Sequence, residues 1–519
     1  MGVKLEASTD PASTLLLARW GQEARIITVL AVVLIAGCAV GPDFEPPPAP
    51  DVSGYTAQPL AAQTASADVK GGEAQRFVQG LDIPGQWWVL FHSEALNKLV
   101  EDAIARNPTL PAAEAALRQA WENVYAEQGA FFPTATVSFS PSRNKTATGA
   151  VSAASASGSP LFTLYTATLS VSYMPDVFGG IRRQVESLQA TADFQAYQLE
   201  AAYLTLTSNV VVAAVQEASL RGQSAATEEI IRIQTDSLDI LHKQFALGQV
   251  AGADVAAVEA TLAQAQATLP PLQKQLAVQR DLLTALLGRF PSQEPSETFE
   301  LASLQLPQEL PVSLPSNLVE QRPDVRAAEA QLHAASASIG VAVAAILPSF
   351  TLTPSAGLAS NQFNQLFMTS GTAFWSLVGT ATQTIFDAGT LLHKKRAADA
   401  AFDQSAEMYR STVIAAFQNV ADALHAIQSD ADTLKASYAA ERAAFKSLEI
   451  ARAQLRLGAI GYLGLLTAEN TYDTALLALV QAQAGRYADT AALFQALGGG
   501  WWNRTDVPPH RSWDIKFVP

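Results

Sequence analysis

The chain carries one pattern twice, and any fold must accommodate that duplication. Pro108 with Ala112-Ala113-Glu114-Ala115 returns as Pro323 with Ala327-Ala328-Glu329-Ala330, an offset of 215 residues. Phe132-Pro133 returns as Leu347-Pro348 at the same offset, and Phe178-Gly179-Gly180 returns as Phe386-Asp387-Ala388-Gly389. Leu247-Gly248 matches Leu457-Gly458, and Glu259 matches Glu469, both at an offset of 210. Landmarks kept in order over so long a stretch mark a duplicated structural unit.

Each copy reads helix, strand, loop, strand, long helix, turn, helix. The first helix is expected from about Glu94 to Ala130, with Pro133 as its stop, and its counterpart from about Ser316-Asn317 to just before Pro348. Ala, Leu, Glu and Gln dominate the stretch from Ile181 to Ala246, and all favour helix. At ~1.5 Å per residue, such a helix spans on the order of 100 Å. Gly248 and Gly252 break it, and the chain returns from Asp254 to Leu287. Copy two repeats the design from Leu391 to Leu457, turns at Gly458-Gly461 and returns to Leu497. Long antiparallel helices by themselves also suit a structural coiled coil. That alternative leaves the strands between them unexplained.

Those strands alternate with period two. In Tyr165 to Tyr173, odd positions are apolar or small and even positions hydroxylic; Thr136 to Ser140 and Ser349 to Thr353 alternate likewise. Phe374 to Phe386 reads as a less regular fourth, with Trp375 near its start. The intervening stretches, Ser142 to Pro160 and Ser360 to Gly371, read as hairpin loops. Strands with one apolar and one polar face suit a membrane barrel with lipid outside and water inside. Four strands do not close a barrel, for which about eight is the practical minimum. Several copies of the chain are therefore expected to join and abolish the open edges.

The amino terminus reads as an address. Arg19 and Arg25 precede the apolar run Ile26 to Ile35, and small residues lead to Cys38. A basic segment, a short apolar segment and small residues before a cut site describe a secretory signal. Cys38 is the sole cysteine, so no internal disulfide forms. The residues before it resemble a bacterial lipobox; a plain signal with an incidental cysteine is the alternative. Under the first reading Cys38 carries several acyl chains, which anchor firmly where one does not. The proline-dense run Gly41 to Pro48 then reads as an extended spacer.

A net charge of -15 argues against nucleic-acid binding, which needs a basic face. The six histidines are scattered without metal-ligand spacing, and no nucleophile-elbow or phosphate-loop motif occurs. Glu114 and Glu329 hold equivalent places in the two copies, which favours a helix-face role over paired catalytic carboxylates. The chain is expected not to be an enzyme, and to need no cofactor beyond a covalent lipid on Cys38.

Several motifs together resemble the outer membrane factor family of TolC-like exit ducts, in the lipoprotein branch paired with resistance-nodulation-division pumps. They are Gly37-Cys38-Ala39-Val40-Gly41-Pro42-Asp43-Phe44, Gln86-Trp87-Trp88 with Phe91, Asp176-Val177-Phe178-Gly179-Gly180, Leu318 to Val325 with Ala327-Ala328-Glu329, and Leu497-Gly498-Gly499-Gly500-Trp501. The resemblance implies an α+β membrane duct: a homotrimer whose twelve strands, four per chain, form an outer-membrane β-barrel continuous with a long periplasmic α-helical barrel. It implies partnership with a periplasmic adaptor (membrane fusion) protein and an inner-membrane pump. The implied role is the passive exit channel of a tripartite efflux system for drugs or other small toxic compounds. An exit duct for protein or peptide secretion is the alternative. The corresponding layout is a signal peptide at 1–37, a lipid-anchored extended segment at 38–92, repeat one at 93–290, an equatorial linker at 291–315, repeat two at 316–498 and an equatorial tail at 499–519.

The resemblance also places a gate at the periplasmic tip, at the turns of Gly248 and Gly458. In the family, aspartates after the second turn line the narrowest ring. Here the positions six and nine beyond Gly458 are Gly464 and Thr467, neither of them acidic. Asp254, six beyond Gly248, is the remaining acidic candidate, with helix N-cap as its other reading. Position 460 is Ile, where some relatives carry a basic partner, which leaves Arg456 as the candidate cation.

Overall fold

The computed structural model describes residues 39–52, 54–145, 161–368 and 370–505. Cys38, the leader before it, the centre of the first hairpin loop and the last fourteen residues lie outside the described residues.

Eight helices are described: α1 (Glu94–Arg106), α2 (Thr109–Gln128), α3 (Gly180–Ala246), α4 (Gly252–Leu286), α5 (Pro315–Gln321), α6 (Pro323–Ala344), α7 (Thr390–Arg456) and α8 (Tyr462–Ala496). The strands are β1 (Arg76–Gln79), β2 (Thr134–Lys145), β3 (Leu161–Ser172), β4 (Glu309–Val312), β5 (Ser349–Ser360) and β6 (Ala373–Thr382). The long helices α3 and α7 each have 67 residues, and their return helices α4 and α8 each have 35.

Several expected elements differ. The helix from Glu94 to Ala130 is two, α1 and α2, because Pro108 holds Asn107 extended at φ -67°, ψ 125°. The freed Asn107 side chain accepts from Thr109 N–H at 2.9 Å, satisfying one donor at the new helix start. Copy two breaks the same way at Arg322-Pro323. Strand β6 stops at Thr382 rather than Phe386, because Asp387 turns the chain into α7, accepting from Leu391 N–H at 2.8 Å and Gly389 N–H at 2.9 Å. The segments 38–92 and 291–315 also contain structure: β1 and β4 pair in parallel, Arg76 opposite Glu309 and Gln79 opposite Val312.

The chain forms two compact units. One comprises Met1–Pro46, Gln119–Ala192 and Ala330–Glu407; it holds an antiparallel sheet of order β2-β3-β5-β6. Each copy supplies a hairpin, and β3 joins β5 with Tyr165 opposite Ser360 and Ser170 opposite Ser355. Asp176 accepts from Ile181 N–H at 3.0 Å and Arg182 N–H at 2.9 Å, which satisfies first-turn donors of α3.

The other unit comprises Pro47–Arg118, Asp193–Glu329 and Met408–Pro519. Its core gathers Trp87, Trp88 and Phe91 with Tyr203, Phe299, Tyr487 and Phe494. Phe494 stacks on Trp87 with centroids 5.4 Å apart. Two charges are fully enclosed. Glu217 accepts from Arg221, from Arg280 at 3.0 Å and from Phe299 N–H at 3.2 Å. Arg486, 1% exposed, donates to Gln75 at 2.7 Å and to the Glu73 carbonyl at 3.2 Å, holding the amino-terminal segment on α8. Glu217 is thus paired with two arginines, whereas Arg486 is held by neutral acceptors, its Nε and Nη1 having no hydrogen-bond partner among the described residues.

Candidate functional site

The sheet has two chemically distinct faces. Directly opposed residues share a face. The register therefore puts Val137, Phe139, Ala167, Leu169, Val171, Leu352, Ala356, Leu358, Trp375, Leu377 and Ala381 on one side. The other side carries Thr134, Thr136, Ser138, Thr168, Ser170, Thr351, Thr353, Ser355, Ser376 and Thr380, interrupted by Leu164, Phe374 and Val378. Ser355 and Ser376 hydroxyls meet there at 2.8 Å. The apolar face is uncovered: Val137 is 82% exposed, Trp375 80% and Leu377 61%. An exposed apolar surface of this extent marks contact with lipid or protein. Strands β2 and β6 also leave an unpaired edge each. Among the described residues no helix is long and apolar enough to cross a membrane.

The two helical turns are built alike. Gly248 (φ +74°) and Gly458 (φ +69°) are left-handed, which glycine adopts without steric cost. Gln249 N–H donates to the Gln244 carbonyl at 2.9 Å and Gly248 N–H to that of Phe245 at 2.8 Å. Ala459 to Gln454 (2.9 Å) and Gly458 to Leu455 (3.0 Å) repeat the pattern, the Schellman ending of a helix.

Around the turns the candidate residues divide. Asp254 is not the N-cap, because α4 begins at Gly252 and Ala251 holds that place. It occupies the third helical position, where its carboxylate accepts from Ala251 N–H at 3.3 Å and lies at the positive end of the helix. Arg456 ends α7, exposed and without an ion-pair partner among the described residues. Gly464 and Thr467 are exposed in the first turns of α8, and the Thr467 hydroxyl donates to its own helix at Leu463 O, 2.9 Å. What joins the turns is packing. Leu241, Val255, Val258 and Leu466 form one cluster, and Leu448, Ala451, Leu465 and Ala468 another. Tyr462 donates its hydroxyl to Gln244 at 2.7 Å, a contact the sequence did not flag. Burial pushes its phenol above the ordinary value, against the Gln244 hydrogen bond, and the Asp254 charge adds to the rise.

A cavity of about 230 Å³ lies between α3, α7 and α8, lined in part by Gln234, Phe445, Arg452, Glu469, Tyr472 and Asp473. Burial raises the Asp473 carboxyl to about 7, helped by the Glu469 charge and opposed by Arg452. Burial raises Glu469 as well. Of the paired carboxylates considered from sequence, Glu329 accepts from Arg326 at 2.7 Å, and Glu114 is exposed on α2. Cys38 lies outside the described residues; Ala39, next to it, rests against Gly179. No cluster of His, Cys, Asp and Glu suited to a metal occurs among the described residues.

Known proteins share this architecture. The solved outer-membrane channel OprN superposes with a TM-score of 0.79 at 26% identity, over 89% of this chain and 100% of that one. The Toluene efflux pump outer membrane protein TtgC of Pseudomonas putida is 29% identical over 474 residues, 91% of this chain and 94% of the relative. The Probable outer membrane lipoprotein SilC of Salmonella typhimurium is 26% identical over 488 residues, 92% of this chain and 99% of the relative. The family model for Outer membrane efflux protein matches residues 99–289 and 314–499, one stretch per repeat. With well over half its length matched, both hairpin strands and both helical turns included, the chain belongs to the outer membrane efflux protein family.

Proposed function

We propose that the chain is the outer-membrane exit duct of a tripartite efflux pump, working as a homotrimer. The observation that carries this is the sheet: one face apolar and exposed, the other hydroxylic, with both edges open. Three copies joined edge to edge, β2 to β6, supply about twelve strands, enough to close around an aqueous lumen. The apolar face then meets lipid and the hydroxyl face meets water. The helices α3, α4, α7 and α8 of the three chains continue as a periplasmic tunnel. The duct conducts passively and receives its cargo from an inner-membrane pump through an adaptor. A relative named for toluene efflux supports small toxic organic compounds as cargo.

The tip closes by packing rather than through an acidic ring. Gly464 and Thr467 bring no charge, Asp254 is engaged with its own helix, and the apolar clusters with Tyr462 hold the two turns together. Cys38 carries the lipid that anchors the chain at the outer membrane, a reading supported by the relative named as a lipoprotein.

The test is reconstitution. Purified protein should run as a heat-sensitive oligomer and add discrete conductance steps to planar bilayers. It should also copurify with an adaptor and a pump when these are expressed together. A monomer that adds no conductance would sink the proposal.

A further inference from the structure

The residues directly after Cys38 are docked with unusual care. A side chain added to Gly179 (φ +76°) would lie 2.6 Å from the Ala39 Cα. One added to Gly41 would lie 2.4 Å from the Gly340 Cα. Val40 N–H donates to the Phe178 carbonyl at 3.0 Å, and the Val40 carbonyl accepts from Arg183 Nε at 3.1 Å. Arg183 also reaches Asp43 at 2.6 Å and Glu186 at 2.8 Å. Glu186 in turn contacts His333 at 3.0 Å, on which Phe44 stacks with centroids 4.4 Å apart. Glycine pairs, a clasped arginine and a stacked ring thus fix the backbone one residue from the cysteine.

The clasp ends at the rim of a groove. Phe178, which accepts from Val40, and Gly180, next to the glycine under Ala39, both line a cavity of about 270 Å³. Met174, Ile181, Val341, Leu347 and Phe350 make its walls largely apolar. Phe350 lies on the apolar face of the sheet, two residues from Leu352, so the groove abuts that face. Asp176, the charged residue of the lining, accepts from the first turn of α3 and pairs with Arg182 at 3.3 Å.

We propose that this groove seats an acyl chain carried by Cys38. The inference rests on the reading of Cys38 as lipidated. Consecutive Cα atoms are about 3.8 Å apart, so a chain on Cys38 starts beside Ala39 and the groove rim. The cavity is at or just below the lower end of ordinary ligand-pocket volumes, roughly 300–1,000 Å³. It takes part of one chain, while the rest continues along the apolar face into the bilayer. The lipid thereby does more than tether: it fills the junction between strands and helices.

The test uses the full chain in cells fed a diazirine-tagged palmitate. Irradiated membranes yield protein for intact mass and peptide mapping. The expected result is a lipid mass on Cys38 and adducts on peptides spanning 174–181 and 341–350. Ala345, exposed at the groove, is then changed by Ala345→Trp; the lipid mass stays and those adducts are lost. Adducts confined to phospholipid or to strand residues such as Val137 and Trp375, with the lipid mass present, overturn the groove alone. Absence of any lipid mass on Cys38 overturns the anchor reading and the groove with it.

Discussion

Asp473→Asn tests how the cavity between α3, α7 and α8 stores electrostatic strain. Asp473 and Glu469 are one helical turn apart on α8, the spacing at which like charges repel. Burial and that repulsion lift the Asp473 carboxyl from 3.8 to about 7. Because the folded protein holds the proton more tightly than the unfolded chain, stability falls as pH rises from about 4 to about 7, and the loss is complete above that. A shift of roughly 3 units at 1.36 kcal/mol each bounds the effect at about 4 kcal/mol per chain, with Arg452 and partial solvent access reducing it. Between pH 5.5 and 8.5 the wild type should lose more stability than Asp473→Asn, by at most about 2 kcal/mol before screening by solvent and Arg452 is discounted, since only the part of that interval below 7 contributes. The assay is denaturant unfolding of the detergent-solubilised oligomer at both pH values, read as the difference between the two proteins. Asp430, also raised to about 7, by burial and by Asp489, contributes equally to both and cancels. A difference that is flat with pH, or a variant less stable than wild type at pH 8.5, would refute the reasoning.

Leu377→Arg, on the exposed apolar face, should cost about 2–4 kcal/mol per chain at mid-membrane depth and abolish the heat-sensitive oligomer. Thr380→Arg, on the hydroxyl face, should leave assembly intact and change the ion selectivity of the conductance steps. Glu217→Ala removes the shared acceptor of Arg221, Arg280 and Phe299 N–H and should destabilise by about 3–5 kcal/mol, seen as a lower unfolding midpoint. At the tip, Leu466→Ala should raise single-channel conductance, whereas Asp254→Ala should leave conductance unchanged and cost only about 0.3–1 kcal/mol of helix-end stability. A conductance rise on Asp254→Ala would restore the charge gate.

The duplication, the long helices and the two-faced strands were legible because each is a periodic signal. Tyr165 to Tyr173 alternates cleanly, and Gly248 and Gly458 mark helix ends that need a left-handed residue. Strand ends were less legible. Strand β2 runs on through Pro141 to Lys145 although its alternation fades, because pairing with β3 continues to Leu161. Strands β1 and β4 were invisible: each has four residues, and Arg76 finds its partner Glu309 far along the chain. Buried charges were hidden for a different reason. Glu217 and Arg486 sit among charged helix residues of the same kinds, and only tertiary packing decides which are enclosed. The tip was misread in one particular. Of the two readings of Asp254, gate acid or N-cap, the cap fails because α4 starts one residue beyond Ala251 and makes Asp254 a third-position acceptor.

The two copies share a backbone plan yet meet different surroundings, and the repeat positions Glu259 and Glu469 make this quantitative. Glu259 on α4 has a 52% exposed side chain, near exposed His242 of α3 at 3.6 Å. Glu469 on α8 is 7% exposed, facing Arg452 at 3.9 Å beside the cavity that strains Asp473. One sequence position thus serves a solvated face in one hairpin and an enclosed face in the other. Within the single chain, the hairpin of copy two packs against α3 at this position. At the turn of copy two, apolar packing through Leu465 and Leu466 and the Tyr462 hydroxyl on Gln244 supply the contacts instead of charge.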